Sequence, residues 1–346
     1  MRTGGKTTMK FDRIAGILVA LAFGLTGCGG RPEHPMTTIH PTSDFGVWIN
    51  RLYLQVTLWD VLIFTVVIVS FTLAVFVFST RAGEAAPPST AASDIRLEIV
   101  YTIGPALVIL MISIPTVRTV FRSQPAVPPK NAVNIEVVGH QWWWEFNYLD
   151  GSKAATANEL HIPVGRPIHL QLKAYDVIHS FWVPALGGKR DVIPGQVNEI
   201  YLIANEPGEY YGQCAEFCGE SHANMRFRVF VDPPERFASW EQAQAALPAK
   251  IAPTDTALAE GAKIFANSPC TTCHAIRGVS KGYFGPDLTH FGSRETFASG
   301  VYPNTPENVA RWITDPVDMK PGAMMPKFAV GSDQLAALTA YLESLK

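Results

Sequence analysis

Two stretches of this sequence decide how the chain folds. The first is Cys214-Ala-Glu-Phe-Cys218-Gly-Glu-Ser-His222-Ala-Asn-Met225, and the second is Cys270-Thr-Thr-Cys273-His274. The first combines thiol, imidazole and thioether groups on one loop, a set of soft ligands that suits copper. The second has the Cys-x-x-Cys-His spacing at which a c-type haem is attached. The pattern therefore predicts two metal-binding domains on one chain.

The residues around these stretches predict one β domain and one α domain. Short alternating runs separated by Gly and Pro predict strands at 133–138, 168–172, 197–203 and 225–231. Their spacing predicts an all-β sandwich or Greek-key domain over residues 130–235. Helical patterns at 257–265, 306–314 and 332–345 predict an all-α domain over residues 254–346. A polar linker, 236–253, joins the two and is expected to be partly helical near 240–246.

Apolar segments near the N-terminus predict membrane attachment. Those at 54–78 and 97–121 are long enough to span a bilayer and predict a transmembrane helical hairpin over residues 51–122, with buried core helices as the alternative. A shorter apolar run at 14–25 follows basic residues and ends in Leu25-Thr26-Gly27-Cys28. It predicts a lipoprotein signal peptide, 1–27, and lipidation of Cys28 at the start of an N-terminal segment, 28–50. An ordinary signal sequence and an uncleaved first helix are the alternatives.

Composition and chemistry indicate where the chain works. Hydrophobic residues make up 47% of the sequence and charged residues only 17%, which suits a membrane protein. The net charge of −2 provides no basic excess, so no nucleic acid is expected as a partner. Because haem is attached to Cys-x-x-Cys-His outside the cytoplasm, both ends of the hairpin are expected outside and its tip inside. The expected location is the bacterial inner membrane, crossed more than once, with the metal domains on the periplasmic or extracellular side.

The first stretch can hold two copper ions. Two thiolates four residues apart, on a loop between strands, can bridge both ions, while each histidine holds one and the thioether and a carbonyl are weaker ligands. The expected ligands are His179, Cys214, the carbonyl of Glu216, Cys218, His222 and Met225. The alternatives are a disulfide between the two cysteines and a mononuclear zinc site. A disulfide would have no need of histidine and methionine at these spacings.

The second stretch can hold a haem. Cys270 and Cys273 can form thioethers, and His274 can be the proximal iron ligand. Gly285-Pro286-Asp287-Leu288 and then Lys320-Pro-Gly-Ala-Met-Met-Pro326 follow in the order of a class I cytochrome c. Met325, directly before the proline, is the expected sixth ligand, with Met324 as the alternative. The remaining histidines, which lack ligand spacing, are expected to be structural or on the surface: His34, His40, His140, His161, His169 and His290.

Four motifs carry a resemblance to a known family: Gly139-His-Gln-Trp-Trp-Trp-Glu-Phe146, Val177-Ile-His-Ser-Phe-Trp-Val-Pro184, Ile193-Pro-Gly195 and the loop 214–225. On these motifs, residues 51–232 resemble subunit II of haem–copper cytochrome c oxidases. The resemblance implies a two-helix transmembrane hairpin and a cupredoxin-like domain whose dinuclear copper centre, CuA, passes electrons to subunit I. With the fused cytochrome c domain, the chain resembles subunit II of the caa3 type. Quinol oxidases share the fold but lack the copper ligands, so a quinol donor is disfavoured.

The resemblance also implies roles for three further residues. Glu216 turns its carboxylate to a Mg²⁺ ion shared with subunit I. Trp142 matches the tryptophan through which electrons are accepted, with aromatic core packing as the alternative. Glu98 matches a glutamate at the start of a proton pathway, with a surface charge at a helix end as the alternative.

The implied partners are oxidase subunits I and III and a donor such as cytochrome c. The implied electron path runs from the external donor through haem c and CuA to subunit I, which reduces oxygen. Two other functions stay open on the sequence. The same path could instead feed a nitric oxide reductase, or the chain could be a membrane-anchored electron carrier or copper-handling lipoprotein.

Overall fold

The computed structural model describes residues 36–77, 94–125, 128–249, 251–252 and 254–346. The predicted signal peptide, Cys28, His34 and the tip of the hairpin lie outside these residues. The described chain forms a pair of long helices, a β-sandwich domain and a C-terminal α domain.

Helices α1 (Asp44–Val77) and α2 (Ile95–Ser123) are each long and apolar enough to cross a membrane, judged by length and composition. Helix α1 begins before the apolar run because the side chain of Ser43 accepts a hydrogen bond from the Gly46 amide at 2.9 Å, as an N-cap does. Asp44 also accepts a hydrogen bond from the Ile203 amide at 2.7 Å, which joins the start of this helix to the β-sandwich domain.

The β-sandwich domain consists of two five-stranded sheets. Its strands are β1 (Val133–His140), β2 (Trp143–Tyr148), β3 (Ala155–Ala157), β4 (Glu159–Pro163), β5 (Pro167–Ala174), β6 (His179–Trp182), β7 (Arg190–Val192), β8 (Asn198–Ile203), β9 (Gly208–Cys214) and β10 (Arg226–Asp232). One sheet has the order β3-β2-β1-β5-β8 and the other β4-β10-β9-β6-β7. Strand β1 runs parallel to β5, and β4 runs parallel to β10, while the other pairs are antiparallel. The predicted β-sandwich is confirmed.

The core of this domain lies between the two sheets and ends beneath the first metal-binding stretch. Alternate residues of β1 point inward, and Ile135 and Val137 are completely buried. Trp144 is also completely buried, and its ring contacts those of Phe181 and Phe227 edge-on, with centroids 5.5 Å apart in each pair. Such edge-to-face packing is favourable for aromatic rings, and it supports the loops that carry the predicted copper ligands.

Helix α3 (Pro234–Ala245) occupies much of the segment predicted as a linker. Its Phe237 is buried in the core of the β-sandwich domain, and Trp240 stacks on His161 with ring centroids 4.4 Å apart. The helix is therefore part of that domain, and the linker is shorter than 236–253. Sequence composition missed this because the helix carries only two aromatic anchors among polar and small residues.

The C-terminal domain contains helices α4 (Thr256–Ala266), α5 (Cys270–Cys273), α6 (Pro306–Thr314), α7 (Pro316–Met319) and α8 (Ser332–Ser344). Two short hairpins lie between α5 and α6: β11 (Ala275–Ile276) with β12 (Ser280–Lys281), and β13 (Thr296–Phe297) with β14 (Tyr302–Pro303). Helices α4 and α8 cross closely at Gly261, where a Cβ would lie 2.1 Å from the carbonyl oxygen of Ala337. The mainly α domain and its three predicted helices are confirmed.

Candidate metal centres

The topology brings distant parts of the chain together at one end of the β-sandwich. His179 begins β6, Cys214 ends the neighbouring strand β9, and Phe181 of β6 lies opposite Cys214. The loop after β9 passes through a 3-10 turn at His222 and reaches Met225 directly before β10. Because β9 and β10 are paired, the two ends of the loop lie side by side.

The expected copper ligands form one cluster. The Cys214 and Cys218 sulfurs are 3.7 Å apart, and the Cys218 sulfur lies 3.6 Å from His222 Nδ1 and 3.7 Å from the Met225 sulfur. The Cys214 sulfur lies 4.0 Å from Nδ1 of the other histidine, His179. The Glu216 carbonyl oxygen is 3.2 Å from the Cys214 sulfur.

This donor set fits copper better than either alternative. A disulfide requires sulfurs about 2.05 Å apart, whereas both cysteines are free thiols at the wider separation. A structural zinc site takes thiolate, imidazole or carboxylate ligands, which would leave the buried thioether of Met225 without a role. Two thiolates, two imidazoles and a thioether in one place suit copper.

Asp176 positions the histidine from β6. Its carboxylate lies 2.8 Å from Nε2 of His179, so Nδ1 is the nitrogen directed toward the sulfurs. Burial lowers the pKa of His179, but hydrogen bonds to Asp176 and Cys214 outweigh burial and raise it overall. A hydrogen bond of this kind fixes the ring and raises the basicity of a metal-binding imidazole.

The two thiols differ in their pKa values, which shift in opposite directions. The hydrogen bond from Cys218 lowers the pKa of Cys214 well below its usual value, and His179 adds to this effect against the penalty of burial. One thiolate is thus favoured in this pocket, and a thiolate is the form that binds metal.

The C-terminal domain arranges the second stretch as a haem site requires. Helix α5 carries Cys270 and Cys273, and His274 follows it directly. Nδ1 of His274 lies 2.8 Å from the Pro286 carbonyl oxygen, which leaves Nε2 available for iron. Burial lowers the pKa of His274, which favours the neutral, metal-binding imidazole. Gly285 is required beside the ring, because a Cβ there would lie 2.6 Å from His274 Cε1.

The two candidate methionines differ in their surroundings. Met325 packs against the core of the C-terminal domain, whereas the side chain of Met324 is 68% exposed. A sixth ligand has to reach the interior face of the haem, so this placement favours Met325.

The residues implied only by resemblance occupy three different places. Trp142 lies beside the cluster of expected copper ligands, where its Nε1 donates to the Cys218 carbonyl at 3.0 Å and its ring contacts Gly322 of the C-terminal domain. Glu216 is exposed next to the sulfurs. Glu98 lies in the first turn of α2, at the opposite end of the helix from the β-sandwich domain.

Packing and hydrogen bonding occupy four of the other histidines: His140, His161, His169 and His290. His140 stacks on Trp143 with ring centroids 4.2 Å apart, and His161 pairs with Asp232 at 2.7 Å. These contacts are of structural character. Sequence reasoning missed Asp176, although its position three residues before a metal-binding histidine was a usable signal.

The fold and these two donor sets define a membrane-associated electron-transfer protein that binds copper and haem. The sequence profile described as "Cytochrome C oxidase subunit II, periplasmic domain" matches residues 151–231, and that described as "Cytochrome c" matches residues 258–346. The chain is 35% identical over 346 residues to a cytochrome c oxidase subunit 2 of Alkalihalophilus pseudofirmus, covering 98% of this chain and 99% of that one. It is 31% identical to the subunit 2 of Bacillus subtilis, again covering 98% and 99%.

Among solved structures, the periplasmic domain of subunit II of cytochrome oxidase from Bradyrhizobium japonicum is 36% identical, covers 34% of this chain and 96% of that one, and has a TM-score of 0.33. The chain belongs to the cytochrome c oxidase subunit II family and carries a fused cytochrome c domain. It is thus the subunit of a haem–copper oxidase that works beside subunit I, and its two domains imply copper and haem c.

Proposed function

We propose that this chain is subunit II of a caa3-type cytochrome c oxidase. It relays electrons from an external donor through haem c and dinuclear CuA to subunit I, where oxygen is reduced to water with proton translocation. The observation that carries the proposal is the convergence of the expected copper ligands beside a Cys-x-x-Cys-His domain of the same chain. Relatives that align over nearly their whole length support it.

In the copper centre, Cys214 and Cys218 would hold two copper ions through their thiolates, together with the imidazoles of His179 and His222. Met225 and the Glu216 carbonyl would complete the two coordination spheres. A thiolate-bridged copper pair supplies one-electron transfer with little change in geometry. The protein contributes rigidity, since His179 and Cys214 lie on paired strands, the remaining ligands lie on the loop that joins the paired strands β9 and β10, and both cysteines are buried.

In the haem domain, Cys270 and Cys273 would hold the macrocycle covalently, and His274 and Met325 would be the iron ligands. A His/Met pair raises the reduction potential, which suits an acceptor of electrons from a mobile cytochrome c. The Pro286 carbonyl keeps the proximal ring in one orientation by accepting its Nδ1 proton.

Trp142 would be the contact between the two centres. Its indole donates to the carbonyl of Cys218, while Gly322, three residues before Met325, packs over its ring. The chain's own haem domain thus covers the tryptophan, so the donor would deliver electrons to the haem domain.

Four further roles belong to the same proposal. Glu216 would turn its exposed carboxylate to a Mg²⁺ ion at the subunit I interface. Glu98 would open a proton pathway at the cytoplasmic end of α2. Cys28 would be lipidated, and α1 and α2 would cross the inner membrane as a hairpin with the metal domains outside. Subunit III and cytochrome c or a similar donor would be the remaining partners.

Oxygen uptake by the detergent-solubilised complex that co-purifies with this chain tests the proposal. Reduced cytochrome c should drive rapid, cyanide-sensitive uptake. If copper and haem are present and reducible but no oxygen is consumed, the oxidase function is refuted. Nitric oxide reduction or a free-standing carrier would then be the functions to test.

A further inference from the structure

A buried lysine joins the two metal-binding domains. Lys320 belongs to the haem-domain loop that carries the candidate iron ligand, and only 4% of it is exposed. Its amine donates to the Trp142 carbonyl oxygen at 2.5 Å and to the Ser299 hydroxyl at 2.6 Å. The first acceptor belongs to the β-sandwich domain, so this contact crosses the interface between domains.

Ser299 completes a closed group of three. Its hydroxyl donates to the same Trp142 carbonyl at 2.5 Å, and the residue is 1% exposed. Its backbone is left-handed, with φ of 67°, as is that of Ala298 at 50°. Both residues lie in the turn of the β13–β14 hairpin, where positive φ is common, and this turn places the Ser299 hydroxyl against the β-sandwich domain.

The contact leads directly to the copper ligands. Trp142 accepts from Lys320 through its backbone carbonyl and donates through its indole to the carbonyl of Cys218. We infer that Lys320 is a positioning residue for electron transfer, setting the register in which the Met325 loop docks on Trp142 beside the copper centre. This inference rests on the proposed relay between haem c and CuA.

The physical argument concerns specificity. Because the Lys320 amine loses its hydration when it is buried, its hydrogen bonds add little to the affinity between the two domains. They instead favour one docked arrangement, since only in that arrangement does the amine reach both oxygen acceptors. Burial lowers the pKa of Lys320 to about 7, but an amine donates hydrogen bonds in either protonation state. Docking has a separate anchor, because the Glu159 carboxylate accepts from the Thr296 amide at 2.7 Å and from its hydroxyl at 2.9 Å.

The test is a distance measurement in the purified, metal-loaded oxidase. Pulsed EPR between the oxidised haem c and the oxidised copper centre gives the distribution of distances between them. Lys320→Met removes the donor at similar length, and Ser299→Ala removes one acceptor with minimal change of shape. Lys263→Met is the matched control, because it removes a lysine that is exposed on α4 of the same domain.

We expect a narrow distribution of haem–copper distances in the parent and in Lys263→Met. The distribution should be broader in Lys320→Met and in Ser299→Ala, while the optical spectra of both centres stay unchanged. The rate from haem to copper should fall in both variants, because electron transfer slows when the two centres are held farther apart or in a wider range of positions. Reduction of the haem by its donor should not change. Unchanged distances and rates in both variants would overturn the positioning role alone, whereas absence of either EPR signal would overturn the proposed relay itself.

Discussion

Replacing Asp176 by Asn tests how the copper site is organised. The two oxygens of this carboxylate accept three hydrogen bonds: Oδ1 from the Val177 amide at 2.7 Å and from Nε2 of His179 at 2.8 Å, and Oδ2 from the Gln141 amide at 2.6 Å. Asparagine has the same shape but only one oxygen. Its NH₂ group would face an N–H donor, and the charge that raises the pKa of His179 would be lost.

The expected cost follows from these contacts. Loss of the group that hydrogen-bonds to the second ring nitrogen of a metal-binding histidine typically weakens metal binding about 10- to 100-fold. This corresponds to roughly 1.4–2.8 kcal/mol of binding free energy. The haem domain should keep its spectrum. Copper affinity can be measured by titrating the copper-free chain in the presence of a competing chelator while following the copper–thiolate absorbance.

Asp191→Asn is the matched control for this substitution. Asp191 is exposed on β7, opposite Ser180 of β6, so the same change of charge occurs near the site without touching a ligand. Its copper affinity should equal that of the parent. Equal affinities for Asp176→Asn and the control would refute the idea that this carboxylate holds the imidazole in place.

Three further predictions concern the haem domain. Gly285→Ala would place a methyl group 2.6 Å from His274 Cε1 and should lower haem incorporation and the haem potential; a parent-like redox titration would contradict this. Met325→Leu should abolish the near-infrared iron–methionine band, which Met324→Leu should retain; the reverse result would exchange the two assignments. Burial lowers the pKa of Lys320 to about 7, whereas a lysine in the unfolded chain titrates near about 10.4. The unfolded chain therefore binds more protons between these values, so the stability of the parent should increase from about pH 7 to about pH 9 relative to Lys320→Met. Thermal unfolding followed at the haem band would show this, and identical pH dependence of the two proteins would refute it.

Most of the candidate metal ligands could be predicted because they lie close together in the sequence, at characteristic spacings. Cys214 to Met225 lie on one loop, and Cys270 to His274 lie in one turn, so the spacing of soft ligands alone indicated two centres. His179 is distant in sequence, and only the pairing of β6 with β9 brings it to the sulfurs. Strand alternation and helical periodicity similarly predicted the sandwich and the three helices of the C-terminal domain.

The contacts between the two domains could not be predicted, because they join residues that are far apart in the sequence and have no characteristic spacing. Lys320 and its acceptor Trp142 are 178 residues apart, and the hydroxyl of Ser299 is separated from the same carbonyl by 157 residues. A lysine before a Pro-Gly turn has the composition of a solvated loop, so burial could not be inferred from it. Helix α3 was underestimated for a related reason, because its stability comes from packing of Phe237 and Trp240 against the β-sandwich domain.

Stopped-flow reduction of the purified oxidase by its donor tests the central claim most directly. If the two centres act in series, the haem c band should appear first, and the copper–thiolate band should then bleach at a rate independent of donor concentration. In a chain with Cys270 and Cys273 replaced by serine, copper reduction should become slow. Copper reduction that stays fast and donor-dependent in that variant would contradict the account, since electrons would then reach the copper centre without the haem domain.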